Sequence, residues 1–163
     1  MGGEAAHRPM SFHFAYGANM SRAVMCRHAA EAVALGIAEL ADHRFTITGD
    51  GYASIVPARA HNVYGVLWRI TPRDRVTLDA WENVEAGLYR AATLPVRHGG
   101  TRKPALVYLA RPGAEGGPKP GYIELVIEAA RQWGFPEPYL RSLESFAVDV
   151  RTGTGTRKIA EFR

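Results

Sequence analysis

Ser11-Phe12-His13-Phe14-Ala15-Tyr16-Gly17-Ala18-Asn19-Met20-Ser21 holds a strand, its stop and the cap of a helix in one short run. Aromatics from Phe12 to Tyr16 favour a pleated strand, and Gly17 ends it. Gly17 also lets the chain turn sharply and approach a ligand closely. Ser21 is placed to N-cap a helix over Arg22 to Glu31, where Val24, Met25 and His28 share helical spacing. N–H groups that follow a glycine and lead into a helix suit a carboxylate or a developing oxyanion. The turn by itself leaves two readings open: a plain strand–turn–helix connection and an oxyanion cradle.

Further along, Trp81-Glu82-Asn83-Val84 closes a second helical stretch. That stretch opens on Thr71-Pro72-Arg73-Asp74: a capping hydroxyl, proline at the first helical position and an acid in the first turn. Glu82 directly follows the aromatic Trp81 and stands two residues before Val84. A carboxylate desolvated in that way has a raised pKa, which suits a general base near neutral pH. Its other reading is a solvated carboxylate at a helix end. Asp79 and Glu85 are nearby rivals, with Asp79 read as an exposed helix residue. An oxyanion cradle and a poised carboxylate together are enough for proton transfer coupled to attack on an amide carbonyl.

Outward from these two segments, strands are expected over Ala32 to Leu40, Arg44 to Thr48 and Tyr52 to Val56, with turns at Asp42-His43 and Gly49-Asp50-Gly51. Asn62 to Ile70 is the strongest strand. Leu88 to Val96 and Ala105 to Ala110 read as a hairpin across the cationic loop Arg97 to Lys103. Arg111 to Gly121 is a long crossing. Tyr122 to Trp133 follows as an amphipathic helix ended by Gly134, with Ile123, Val126, Ile127 and Ala130 on one face. Tyr122 enters it after Pro120-Gly121 and reads equally as a pocket hydroxyl or a core aromatic. A short helix is expected around Tyr139 to Phe146. Many short strands with helices at the edges predict an α+β domain over residues 11–148, a small mixed β-barrel with flanking helices. Residues 1–10 and 151–163 are expected to be flexible termini.

Composition narrows the function classes. The chain has 163 residues, 47% hydrophobic and 22% charged, enough for one domain with a sizeable core. Its net charge of +4 comes from arginines scattered singly, so a nucleic-acid partner is not expected. No apolar run is long enough to span a membrane, and the start lacks the apolar centre of a secretory signal. A cytoplasmic address is the expectation. The single cysteine, Cys26, rules out an internal disulfide and reads as a small buried hydrophobe. His7, His13, His28, His43, His61 and His98 form no ligand-spaced pattern, so no metal and no cofactor are expected. The pattern leaves oligomeric state open.

The order of the short segments resembles the γ-glutamylcyclotransferase family with its AIG2-like relatives. The matching pieces are Phe14-Ala15-Tyr16-Gly17-Ala18-Asn19-Met20, Gly51-Tyr52-Ala53-Ser54-Ile55 and Val63-Tyr64-Gly65-Val66-Leu67-Trp68. Leu78-Asp79-Ala80-Trp81-Glu82-Asn83-Val84, Gly87-Leu88-Tyr89 and Pro120-Gly121-Tyr122 continue the series. The resemblance runs from about Ser11 to Phe146. It implies the γ-glutamylcyclotransferase-like fold and an enzyme, independent of metal, that releases 5-oxoproline from a γ-glutamyl amino acid or amine. It implies that Tyr16, Gly17, Ala18, Asn19 and Met20 bind the γ-glutamyl group, that Glu82 is the acid/base, and that Tyr122 lines the pocket. A small-molecule γ-glutamyl substrate is the partner so implied. Ala18 departs from the pattern, standing where the family commonly has serine. That departure carries the alternative reading of a non-catalytic γ-glutamyl binding protein on the same fold.

Overall fold

The computed structural model describes residues 10–148. The expectations for residues 1–9 and 149–163 lie outside the described residues. Ten elements follow in order: β1 (Ser11–Ala15), a 3-10 turn (Ala18–Met20), α1 (Arg22–His28), β2 (Val33–Ile47), β3 (Ala53–Ile70), α2 (Pro72–Trp81), β4 (Tyr89–His98), β5 (Thr101–Ala110), α3 (Tyr122–Trp133) and α4 (Glu137–Val148). The five strands close a mixed barrel in the order β1-β3-β2-β4-β5. β1 runs antiparallel to β3, with Phe14 opposite Leu67, and closes the barrel against β5 in parallel at His13 and Leu106. Closure puts β1, and the turn that follows it, against both the longest strand and the last one.

Four separate strand readings became two long strands. Asp42-His43 is a bulge in the β2–β3 ladder, not a turn: pairing runs from Val33 opposite Arg69 to Ile47 opposite Ala53, with a register shift between Ala41 and His43. Asp42 adopts φ 57° and Ala60 φ 64°, and the Asp42 carboxylate accepts the Ala60 N–H at 3.0 Å. A side chain that satisfies the opposite strand holds a ladder together where the same residue in isolation reads as a stop. The cationic loop is also shorter than read. β4 and β5 pair out to His98 and Thr101 around Gly99-Gly100, whose φ values of 57° and 77° fit a primed turn.

The helices follow their caps. Ser21 Oγ accepts the Val24 N–H at 3.4 Å, and α1 ends at His28 rather than reaching Glu31. Thr71 and Asp74 form a reciprocal capping box at 3.1 and 3.0 Å. Asp74 also accepts the Glu31 N–H at 3.2 Å, tying the segment after α1 to α2. α3 covers the residues its pattern predicted and ends at Gly134 with φ 78°. Its face of Ile123, Val126, Ile127 and Ala130 is buried with Leu67, Ile70, Leu78 and Leu143 in one core. Cys26, expected inside, is exposed: α1 turns Val24 and Met25 inward and leaves Cys26 on its outer side. Among the described residues, no helix is long and apolar enough to cross a membrane.

Candidate active site

β1 delivers Tyr16 and Gly17 to the wall of a cavity of about 70 Å³, and the 3-10 turn adds Ala18 and Asn19. The turn closes through the Met20 N–H, which donates to the Gly17 carbonyl at 3.1 Å. That bond occupies the Met20 amide. The Met20 side chain is fully buried in the core, so of the five turn residues Met20 alone is absent from the cavity wall. Gly17 is required by close approach. A Cβ there would lie 3.0 Å from the Tyr122 hydroxyl and 3.1 Å from the Ala53 Cβ.

Glu82 caps the C-terminus of α2, its N–H bonded to the Leu78 carbonyl at 2.9 Å. Its side chain lines the same cavity, where Oε1 accepts from Asn19 Nδ2 at 3.2 Å. A carboxylate only accepts, so this contact fixes the orientation of the Asn19 amide. Arg75, Asp79 and Glu82 occupy one stripe of α2 at helical spacing, but they are used differently. Asp79 is not the plain exposed residue its position suggested: it holds the Arg75 Nε at 2.9 and 3.0 Å and accepts the Tyr108 hydroxyl at 2.7 Å. Asp79 is committed to structure, whereas Glu82 faces the cavity.

Five tyrosines line the cavity that this carboxylate faces: Tyr16, Tyr52, Tyr89, Tyr108 and Tyr122. The Tyr16 hydroxyl donates to the Tyr108 carbonyl, and the Tyr89 hydroxyl donates to the Ala53 carbonyl at 2.7 Å. Tyr122, expected at a pocket or in the core, is both: it is buried at the start of α3, it lines the cavity, and its oxygen accepts the Ala53 N–H at 3.2 Å. Burial pushes the Tyr122 phenol up to about 12, with the Glu82 charge acting in the same direction and the Ala53 N–H opposing it. Burial likewise raises Tyr16 and Tyr108, and the Glu82 charge adds to both. All three therefore stay protonated at neutral pH. Trp81 lines the cavity beside Glu82 and stacks on His28 at 3.7 Å between ring centroids.

The sequence reading missed four titratable residues of this wall: His13, Tyr52, Tyr89 and Tyr108. His13 had a legible signal, a titratable side chain two residues before Ala15 and on the same strand face. It is 2% exposed, and its Nδ1 contacts the Leu106 carbonyl at 3.1 Å. Burial lowers its pKa to about 4; the Leu106 bond opposes that shift and the Arg75 charge adds to it. The unfolded chain therefore binds a proton at His13 below about pH 6.5, whereas the folded chain does not until about pH 4. Stability must fall across that window as pH drops, by about 3 kcal/mol in full. Urea unfolding at pH 7, 5.5 and 4.5 should show this loss in the wild type and a shallower one in His13→Gln. Equal slopes would refute the assignment.

A second cavity of about 360 Å³ adjoins the first and shares Tyr52 and Tyr89 with it. Its other walls include Thr46, Ser54 and the start of the long crossing at Arg111. Lys119 Nζ stands 4.8 Å over the Tyr52 ring. Among the described residues, no three His, Cys, Asp or Glu side chains group to hold a metal ion.

Comparison with known proteins agrees with this architecture. The chain is 25% identical over 152 residues to the gamma-glutamylcyclotransferase of Mus musculus, covering 86% of this chain and 81% of that protein. To the gamma-glutamylcyclotransferase of Homo sapiens it is 23% identical over 160 residues, covering 91% and 85%. A solved gamma-glutamyl cyclotransferase superposes with a TM-score of 0.78 at 20% identity, over 89% of this chain and all of that one, and shows the same fold. The pattern of the AIG2-like family matches residues 62–143, a span that holds Glu82 and Tyr122 and begins after the Gly17 turn. By that match over half its length, the chain belongs to the AIG2-like family.

Proposed function

We propose that the protein is a γ-glutamylcyclotransferase-like enzyme that closes 5-oxoproline from a γ-glutamyl compound and expels the attached amine. The observation that carries this reading is the meeting of Glu82 and the Gly17 turn on one small cavity, joined by the Asn19–Glu82 contact of 3.2 Å. The names of the two curated relatives support it at the level of activity class.

The substrate's α-ammonium is no nucleophile until it loses a proton, and Glu82 is placed to take it. The freed amine attacks the γ-carbonyl of the same molecule, forming the ring C–N bond. The amides of Gly17 and Asn19 would hold the oxyanion, the Ala18 N–H being bonded to the Tyr122 oxygen; one such donor is worth about 3–4 kcal/mol in acyl transfer. Collapse breaks the bond to the departing nitrogen, which receives the proton held by Glu82 and a second one from the ring nitrogen, and leaves in its ammonium form. No water is consumed, and the carboxylate is regenerated. Proton transfer of this kind contributes roughly 10²–10⁴-fold. A cavity this small also favours the folded-back conformer, in which amine and carbonyl already meet. An N-acetylated γ-glutamyl compound tests the ring closure: without a free amine it should give no product, whereas release of its amine would mean hydrolysis.

At about 70 Å³ the first cavity takes the reacting end only, since whole small molecules occupy several hundred. The adjoining cavity of about 360 Å³ would receive the leaving group, with Arg111 on its wall. Arg111→Ala should raise KM about 3–5-fold for a leaving group bearing a carboxylate and leave a γ-glutamyl alkylamide unchanged. Equal effects on both would show that Arg111 does not read the carboxylate. Ala18 favours the second reading, a γ-glutamyl binding protein without turnover, because the cavity wall lacks a hydroxyl there.

A further inference from the structure

Two residues of the cavity wall each carry a buried side-chain atom with no hydrogen-bond partner among the described residues, His13 Nε2 and Asn19 Oδ1. Both are acceptors. For Asn19 this follows from the amide orientation that Glu82 fixes. For His13 it follows from Leu106, because a carbonyl can only accept, so Nδ1 carries the proton and Nε2 is a bare lone pair. Burial keeps the ring in that neutral form down to about pH 4. An acceptor held dry without a donor is costly, and its satisfaction falls to whatever enters the cavity.

We infer that His13 is a specificity residue, whose Nε2 accepts an N–H from the α-ammonium of the bound γ-glutamyl group. This rests on the glutamyl reading above. In such a ligand the carboxylate and the γ-carbonyl carry no donor hydrogen; the donors are the ammonium and the scissile amide. The ammonium offers three N–H groups, and the wall offers three acceptors, in His13 Nε2, Asn19 Oδ1 and the Glu82 carboxylate. The amide offers one. The edge of Tyr108 packs on the His13 ring at 5.4 Å between centroids, and Leu106 anchors its other nitrogen. The imidazole therefore cannot turn away when the cavity fills. With one N–H held by His13, the ammonium is oriented to give another to Glu82.

The test uses L-glutamine and glutaramic acid, the same γ-amide without its α-amino group. In wild-type protein labelled at the imidazole nitrogens, the Nε2 resonance of His13 should shift when L-glutamine binds and stay in place with glutaramic acid. His13→Asn keeps a side-chain N–H for Leu106 and withdraws the acceptor. It should weaken L-glutamine by about tenfold or more and glutaramic acid by less than about twofold. An unmoved Nε2 resonance with L-glutamine bound would overturn the assignment, as would equal losses for the two ligands; the first needs no variant to fold. L-glutamine that fails to bind overturns it too. Release of 5-oxoproline, measured on the same preparation, then shows whether the glutamyl reading falls with it or survives alone.

Discussion

Glu82→Gln is expected to lower 5-oxoproline release by at least about 10²–10⁴-fold while the protein stays folded. The substitution keeps shape and keeps an oxygen for Asn19 Nδ2, which now lies 3.2 Å from Oε1. The Glu82 N–H still caps α2 through the Leu78 carbonyl. The ability to take a proton is removed, and with it the negative charge that faces the ammonium. KM should rise as well, because the carboxylate also faces the bound ammonium, but kcat should fall further, because proton transfer belongs to the transition state. Asp79→Asn is the comparison: it loosens Arg75 and Tyr108, so it should cost stability and less than about tenfold in turnover. Near-wild-type release by Glu82→Gln would remove Glu82 from the mechanism.

Gly65→Ala should damage the barrel itself. A Cβ at Gly65 would stand 2.5 Å from the Ala15 carbonyl oxygen and 2.6 Å from the Phe14 ring. Neither neighbour has room to yield. Phe14 is fully buried, and Ala15 is the last residue of β1, paired with Val66. A misfit of this kind costs about 3 kcal/mol, near the upper end for overpacking, because backbone has to move. For a domain of this size that is a fall in melting temperature of about 10 °C. Since Tyr16 and Gly17 follow directly on β1, displacing it should also cost activity. Gly117→Ala, where a Cβ meets nothing within 4 Å, should change stability by less than about 0.5 kcal/mol. Equal stability of the two variants would show that β1 does not lie against Gly65 as described.

Local signals carried the sequence reading as far as local physics decides structure. Thr71-Pro72-Arg73-Asp74 specifies a helix start by itself, and the capping box forms as its residues require. Tyr122 to Trp133 has an unambiguous apolar face and a glycine end, so both boundaries were legible. Asp42-His43 was not, because a polar residue at positive φ serves a turn or a bulge equally well. The partner Ala60, which settles the matter, lies across the ladder. The site divides in the same way. Tyr16 to Asn19 and Glu82 announce themselves by chemistry and by family resemblance. Tyr89 and Tyr108 are aromatics on strands, a pattern that also describes ordinary core, and only barrel closure turns them towards the cavity. Asp79 reads as an exposed helix residue in the sequence, while its Tyr108 contact comes from a distant strand.

The most direct test of the account is the product balance of the purified wild-type protein on γ-glutamyl amino acids and γ-glutamyl amines, followed by mass spectrometry. The account predicts 5-oxoproline and free amine in equal amounts, with no glutamate. Glutamate in place of 5-oxoproline, or tight binding of these compounds with no product at all, would contradict it.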